Sequence, residues 1–311
     1  MNFSQTLARW TVLLTLAITP AFAGPDVAPD PKSIPPITKE PVHIDQEFFT
    51  EFSYVAPGNM RQGNADIGNV EETTVTARYL IQPMIKNVGI LRLGGEYFRA
   101  SYTLPNAAKL PNTLQSGAAI IGFDTQIGDH WLFRIDAMPG VYSDFDDISW
   151  DDVNVPVVLG GSYLVNKDLQ IFFGLSIDPW REWVALPGAG LRWKFAENWT
   201  LNAIPPKPRI EYQATKQLTI FAGADFKTGT FRSGEQFGSN HGEGQKLNNT
   251  VISYTEIRTG AGISYNILPT LTLDLEGGAM LYRDIDFHRA DLHIRTNEPA
   301  AYGQIGLKGT F

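Results

Sequence analysis

The sequence predicts an all-β chain folded as a single antiparallel transmembrane β-barrel of about 14 strands, and three observations predict it. From about Glu47 onward, large apolar residues alternate with polar or small ones at period two, the mark of strands with one oily and one wet face. After the N-terminus no apolar run approaches the roughly 18 to 20 residues that a membrane-spanning helix needs, so a helical membrane protein is excluded. The connections alternate between short and long, as in barrels with tight periplasmic turns and longer external loops.

Residues 1–23 read as a secretory signal. Arg9 supplies the positive start, Trp10 to Ile18 the apolar core, and Ala21-Phe22-Ala23 the small-x-small cleavage box, which places cleavage after Ala23. Residues 24–46 carry prolines at 25, 29, 31, 35, 36 and 41 and few bulky apolar groups, the composition of an extended periplasmic linker. The barrel is then expected over 47–311. The absence of cysteine removes a disulfide framework, a thiolate zinc site and a lipid-anchoring cysteine. The formal charge of −8, one unit more negative once Arg9 is removed, argues against nucleic-acid binding.

Alternation is clearest where Trp131, Phe133 and Ile135 oppose Arg134 and Asp136, and where Leu169, Ile171, Phe173 and Leu175 oppose Gln170, Gly174 and Ser176. It recurs where Leu271, Leu273 and Leu275 oppose Thr272, Asp274 and Glu276. Most such segments reach the roughly 9 to 11 residues of a tilted membrane strand, whereas sandwich strands average about five or six. Short turns fall at 86–87, 128–129, 166–168, 196–198, 214–216 and 266–269, and longer connections at about 57–70, 104–112, 144–151, 179–186, 229–249 and 285–296. A tight Pro205-Pro206-Lys207-Pro208 tip completes seven external connections. Both termini of a bacterial barrel are periplasmic, so the count must be even. Trp199 to Tyr212 is therefore read as a short hairpin, giving 14 strands, with 12 as the alternative if another weak segment is not a strand.

The last segment places Ala301, Gly303, Ile305, Leu307, Gly309 and Phe311 on one face. This resembles the C-terminal insertion signal of outer-membrane barrels, with Phe311 as its final aromatic, and implies the barrel-assembly machinery as a partner and the bacterial outer membrane, with its lipid, as the location. Phe49, Phe52, Tyr54, Tyr97, Trp131, Tyr163, Trp180, Trp183, Trp193, Trp199, Tyr265 and Phe311 lie near expected strand ends, where aromatic girdles form. The blocks Trp199-Thr200-Leu201, Pro206-Lys207-Pro208-Arg209-Ile210-Glu211-Tyr212 and Leu218 to Phe226 resemble those of a family of bacterial outer-membrane barrels catalogued as domain of unknown function 6268. That resemblance covers under a tenth of the chain and implies the barrel fold and no activity.

If the oily parity faces lipid, the other parity points Arg78, Arg92, Glu96, Asp124, Arg134, Asp136, Arg192, Lys194, Asp225, Glu256, Arg258, Asp274 and Glu276 into the lumen. Such a mixed set either lines a water-filled pore or pairs into a network that occludes it. About eight strands close around packed side chains and 16 to 18 leave an aqueous channel, so 14 permit a narrow one. Inward glycines such as Gly223 and Gly278 would enlarge the bore. The leading expectation is a narrow porin-like channel for small solutes. The alternatives are a non-conducting barrel whose external loops bind a ligand or partner, and a lipid-modifying or proteolytic enzyme.

The chemistry an enzyme would need is sparse. The histidines are His43, His130, His241, His288 and His293, densest with Asp284, Asp286 and Asp291 in the last external loop. Their spacing matches no ligand motif, and an ordinary polar surface loop accounts for them. The loop 227–249, with glycines at 229, 234, 238, 242 and 244, lacks the GxxxxGK[ST] order of a phosphate cradle and reads better as an external or infolding loop. No metal or cofactor is expected. The sequence leaves the solute and the oligomeric state open.

Overall fold

The computed structural model describes residues 44–105, 108–242, 244–287, 290 and 292–311; the expected signal and the linker up to residue 43 lie outside them. The first strand starts at Ile44, three residues before the expected boundary, because Ile44 to Gln46 already pair with Pro83 to Ile81. Fourteen antiparallel strands follow one another around a closed wall. They are β1 (Ile44–Gln62), β2 (Ala65–Ile85), β3 (Gly89–Thr103), β4 (Thr113–Ile127) and β5 (Trp131–Ala137 with Gly140–Ser143). Then come β6 (Val153–Asn154 with Val157–Asn166), β7 (Leu169–Ile177), β8 (Ala185–Ala196), β9 (Trp199–Asn202) and β10 (Arg209–Gln213). The wall ends with β11 (Leu218–Arg232), β12 (Val251–Leu268), β13 (Leu271–Phe287) and β14 (Leu292–Thr296 with Ala300–Thr310). Closure comes from β1 on β14, where Phe52 pairs with Ile305 and Glu47 with Thr310.

The three interrupted strands break at Pro139, Pro156 and Pro299, residues that cannot donate to a ladder. Two expected loops are shorter than the sequence suggested. Strands run through most of 57–70, leaving Gly63-Asn64 as a two-residue turn, and through most of 285–296, leaving only residues 288–291. Polar side chains there sit on strand extensions that rise beyond the membrane, which composition alone cannot distinguish from a loop.

Outward residues are apolar and exposed, among them Phe52, Ile121, Ile135, Ile171, Phe173 and Ile305, as a lipid-facing surface requires. Aromatic rings gather at the periplasmic ends of the strands. Trp131 lies 4.7 Å from Tyr163, Trp199 lies 4.8 Å from Tyr212, and Phe311 stacks on Phe48 at 5.9 Å. Two members of the expected girdle belong elsewhere. Phe49 falls on the inward parity beneath Arg78, and Trp180 packs under Arg232 on an external loop.

Period two fails once where it matters. Ile257 pairs with Tyr282 but Arg258 pairs with Met280, so Leu281 is the extra residue of a β-bulge. A bulge reverses which parity faces inward beyond it. Below it Glu276, Gly278 and Met280 point in; above it Arg283, Ile285 and Phe287 do, each fully buried.

Deleting Leu281 would remove the extra residue and leave Arg283, Ile285 and Phe287 inward, now in strict alternation with Met280. The expected outcome is a folded, heat-modifiable band on an SDS gel for the deletion variant, as for Leu281→Ala. A deletion variant that no longer migrates as folded would show that the bulge is needed for more than the facing of these residues.

Candidate functional site

The structure brings most of the expected lumen residues together as ion pairs. Arg134 bonds Asp124 at 2.6 Å, Arg92 bonds Asp136 at 3.0 Å and approaches Asp124 at 3.8 Å, and Arg78 bonds Glu96 at 2.8 Å. Asp225 lies 3.5 Å from Lys207. Glu256 and Arg258 are paired, and Arg258 reaches Glu72 at 3.1 Å. Asp274 accepts from the Ser264 hydroxyl and Glu276 from the Tyr302 hydroxyl. Arg192 and Lys194 have no ion pair among the described residues.

Several interior charges escaped the sequence reading. Arg283 is turned inward by the bulge; its Nη2 lies 2.7 Å from Glu256 and 3.1 Å from Glu72, off the hydrogen-bond direction, while its Nε donates to Glu256 at 2.7 Å. Glu72, Glu256, Arg258 and Arg283 therefore form a four-member layer sealed from water. The Tyr254 hydroxyl caps Glu72, and Arg258 also donates to Ser53 at 2.8 Å. A second group adjoins it, in which Glu51 accepts from Lys207 at 2.8 Å, Lys227 at 2.9 Å and Gln304 at 2.9 Å. The sequence places Lys207 in an external tip. The tip instead stays in the wall, with Phe226 N–H donating to the Pro206 carbonyl and Ala224 N–H to that of Pro208, so Lys207 reaches the interior. The only signal for it was a lone lysine among prolines.

Above the ion layer the interior is apolar. Met60, Tyr102, Leu114, Phe231, Ile252 and Phe287 pack there with Phe237 and Leu247 from the infolded loop between β11 and β12. The reason lies in the wall. At this height β5 bridges directly to β11 in parallel, Ser143 against Arg232, with Asp144 N–H donating to the Arg232 carbonyl at 3.1 Å. The outer half is thus ringed by nine strands, β11 to β14 and β1 to β5, and a ring of about that size fills with side chains. The tips of β6 to β8 lie against the outer face of β11, where Thr230 donates to Asp178 at 2.7 Å. The tethering continues into the loop, since the Asp144 carboxylate accepts from Gly234 N–H at 2.7 Å. Burial raises the pKa of Asp144 despite that bond.

Inward glycines do more than widen the bore. A Cβ at Gly223 would strike the Pro208 carbonyl, and one at Gly278 the Thr259 carbonyl, so these positions let neighbouring backbones approach closely.

Among the described residues the candidate catalytic groups do not assemble. His293 lies 3.5 Å from both Asp284 and Asp286 on the external hairpin and is partly exposed. His130 and His241 each contact a backbone carbonyl at 2.7 Å, of Leu164 and Phe237 respectively. Among the described residues no group of three His, Asp or Glu side chains is placed to hold a metal. His43, His288 and Asp291 lie outside the described residues. Phe311 ends the wall in the register Gln46 N–H to Phe311 carbonyl, 2.8 Å.

The family described as Domain of unknown function (DUF6268) matches residues 84–302. No curated protein matches the chain. Solved structures match it at low identity. The TodX monoaromatic hydrocarbon channel in its deltaS2 mutant form is 10% identical, with 88% of this chain and 91% of that chain covered and a TM-score of 0.45. The NanC porin is 9% identical, with 84% and 98% covered and a TM-score of 0.37. A Pseudomonas aeruginosa FadL homologue is 8% identical, with 86% and 90% covered and a TM-score of 0.35. Likenesses of this size say nothing about what this chain carries.

Removing one member of a buried ion cluster leaves its partners uncompensated, at a cost of about 3–5 kcal/mol. Arg283→Ala should lower the unfolding stability of the folded barrel by that amount in urea titrations. A loss below about 1 kcal/mol, the range of exposed pairs, would mean that water reaches the layer.

Proposed function

The chain belongs to the DUF6268 family, and we propose that it is an outer-membrane channel for small solutes, held here with its outer side shut. The observation that carries the reading is the change in strand number with height. Fourteen strands surround the periplasmic half, but nine surround the outer half. The seam that joins β5 to β11 is one bridge, Ser143 to Arg232, with the Asp144 contacts beside it, where every other seam of the ring is a ladder. A ring closed by its weakest seam opens there first. Parting it would let the outer wall widen towards 14 strands and draw Phe237 and Leu247 out of the interior.

Export with cleavage after Ala23 and recognition of Phe311 during assembly belong to the same reading. The packed apolar outer half also suits a barrel that never conducts, and conductance separates the two.

Because the chain has no cysteine, a double variant Ser143→Cys/Arg232→Cys gives a single possible disulfide across paired strands, within the Cα spacing such bonds need. In planar bilayers the oxidised variant should stay closed, and reduction should restore the rare openings of the wild type. Asp144→Ala should raise the open fraction about tenfold, the effect of losing roughly 1.4 kcal/mol at the seam. If neither the wild type nor Asp144→Ala ever conducts, the channel reading falls and the non-conducting barrel takes its place.

A further inference from the structure

The two interior cations without ion partners sit together on one wall. Gln170, Arg192, Asn202 and Arg209 are register partners across β7, β8, β9 and β10, all on the inward parity of the periplasmic half. Partners in such a row have Cβ atoms about 4.5–5.5 Å apart. Lys194 lies one step nearer the rim, exposed. Arg209 is already engaged, bonded to Glu211 at 2.8 Å and stacked over Phe221 at 4.8 Å. Arg192 is half-buried and carries its charge without a carboxylate among the described residues.

A second, independent feature lies on either side of it. The side-chain carbonyl oxygens of Gln170 and Asn202 are both buried and accept no hydrogen bond. Gln170 is 4% exposed, and its amide nitrogen is spent on the Ser162 hydroxyl at 2.8 Å, which leaves the oxygen as the free end. Buried acceptors without donors are costly and rare. A guanidinium with no counter-ion, flanked by two acceptors with no donors, is satisfied by a molecule that brings both kinds of group at once. An oxyanion would take the Arg192 fork, and adjacent hydroxyl or amine hydrogens would meet Gln170 and Asn202. A bare inorganic anion or a simple carboxylate supplies only the first half.

We propose that this row is a binding site for small hydroxylated carboxylates, entered from the periplasmic half of the lumen. It rests on the channel reading for its purpose as a selectivity site, but the binding itself requires no opening of the outer seam. Asp274 and Glu276, two further inward carboxylates, are bonded to the Ser264 and Tyr302 hydroxyls, and neither is ion-paired with Arg192 or Lys194 among the described residues.

Isothermal titration of the folded mature chain in detergent, with gluconate, acetate and glucose as probes, tests the proposal. Gluconate should bind at least about tenfold more tightly than acetate, the gain from one or two added buried hydrogen bonds, and glucose should not bind measurably. Arg192→Gln should weaken gluconate at least tenfold. Asn202→Leu should narrow the gluconate-to-acetate ratio while leaving acetate unchanged, which a merely structural asparagine would not do. Arg78→Gln, which removes a lumen arginine outside the row, should leave gluconate binding intact. Heat-modifiable migration confirms that each variant is folded. Equal affinity for gluconate and acetate, or no binding to the folded wild type, overturns the site. If the wild type binds gluconate but never conducts, the site stands and the channel reading fails; if it conducts without binding, the reverse holds.

Discussion

The contact between Ser143 and Arg232 decides how many strands surround the outer half, and much else depends on that number. A sheet closed over 14 strands leaves room for water, while one closed over nine does not. By joining β5 to β11, the chain excludes β6 to β10 from the outer ring. Met60, Tyr102, Phe237 and Phe287 pack against one another in the space that remains. The infolded loop is a result of the same closure, because its buried side chains have a dry interior to enter.

Beneath that apolar region the balance changes from packing to charge. Four ionised groups without water are tolerable only when each carboxylate meets two guanidinium groups, and the arrangement of Glu72 and Glu256 around Arg258 and Arg283 meets that condition. Buried ion pairs contribute little net stability compared with apolar packing of the same volume, yet they are severe on any misplaced partner. The layer therefore acts on specificity of register more than on strength. Only the strand alignment that includes the Leu281 bulge satisfies all four groups.

Much of this was legible in the residues. Alternation identified the inward face of Trp131 to Ala137 and of Leu271 to Glu276, and the even strand count decided the hairpin at Pro206. The charges that escaped did so for particular reasons. Arg283 shares its strict parity with Leu281 and Ala279, and one extra residue is invisible to a count of period two. Lys207 stands among prolines, the usual company of an exposed tip. The pairing of Glu51 with Lys207 joins positions 156 apart, and which strand heights coincide depends on the stagger of the whole barrel, a quantity no local window contains. The row at Arg192 was half legible: its inward facing could be read, but its lack of a counter-ion could not.

The short hairpin of β9 and β10 has a consequence for the lipid around the barrel. Its strands have four and five residues, well under the roughly 9 to 11 that cross a bilayer. Above the Pro206 tip, the upper edges of β8 and β11 have no in-wall neighbour on that side, and bare backbone groups do not persist against hydrocarbon. The overlapping tips of β6 to β8 shield β11, but the apolar belt beside the hairpin remains lower than elsewhere. Acyl chains packed against a lower belt must shorten or splay, so the leaflet is expected to thin beside this hairpin, on the sector of the wall that also holds Arg192.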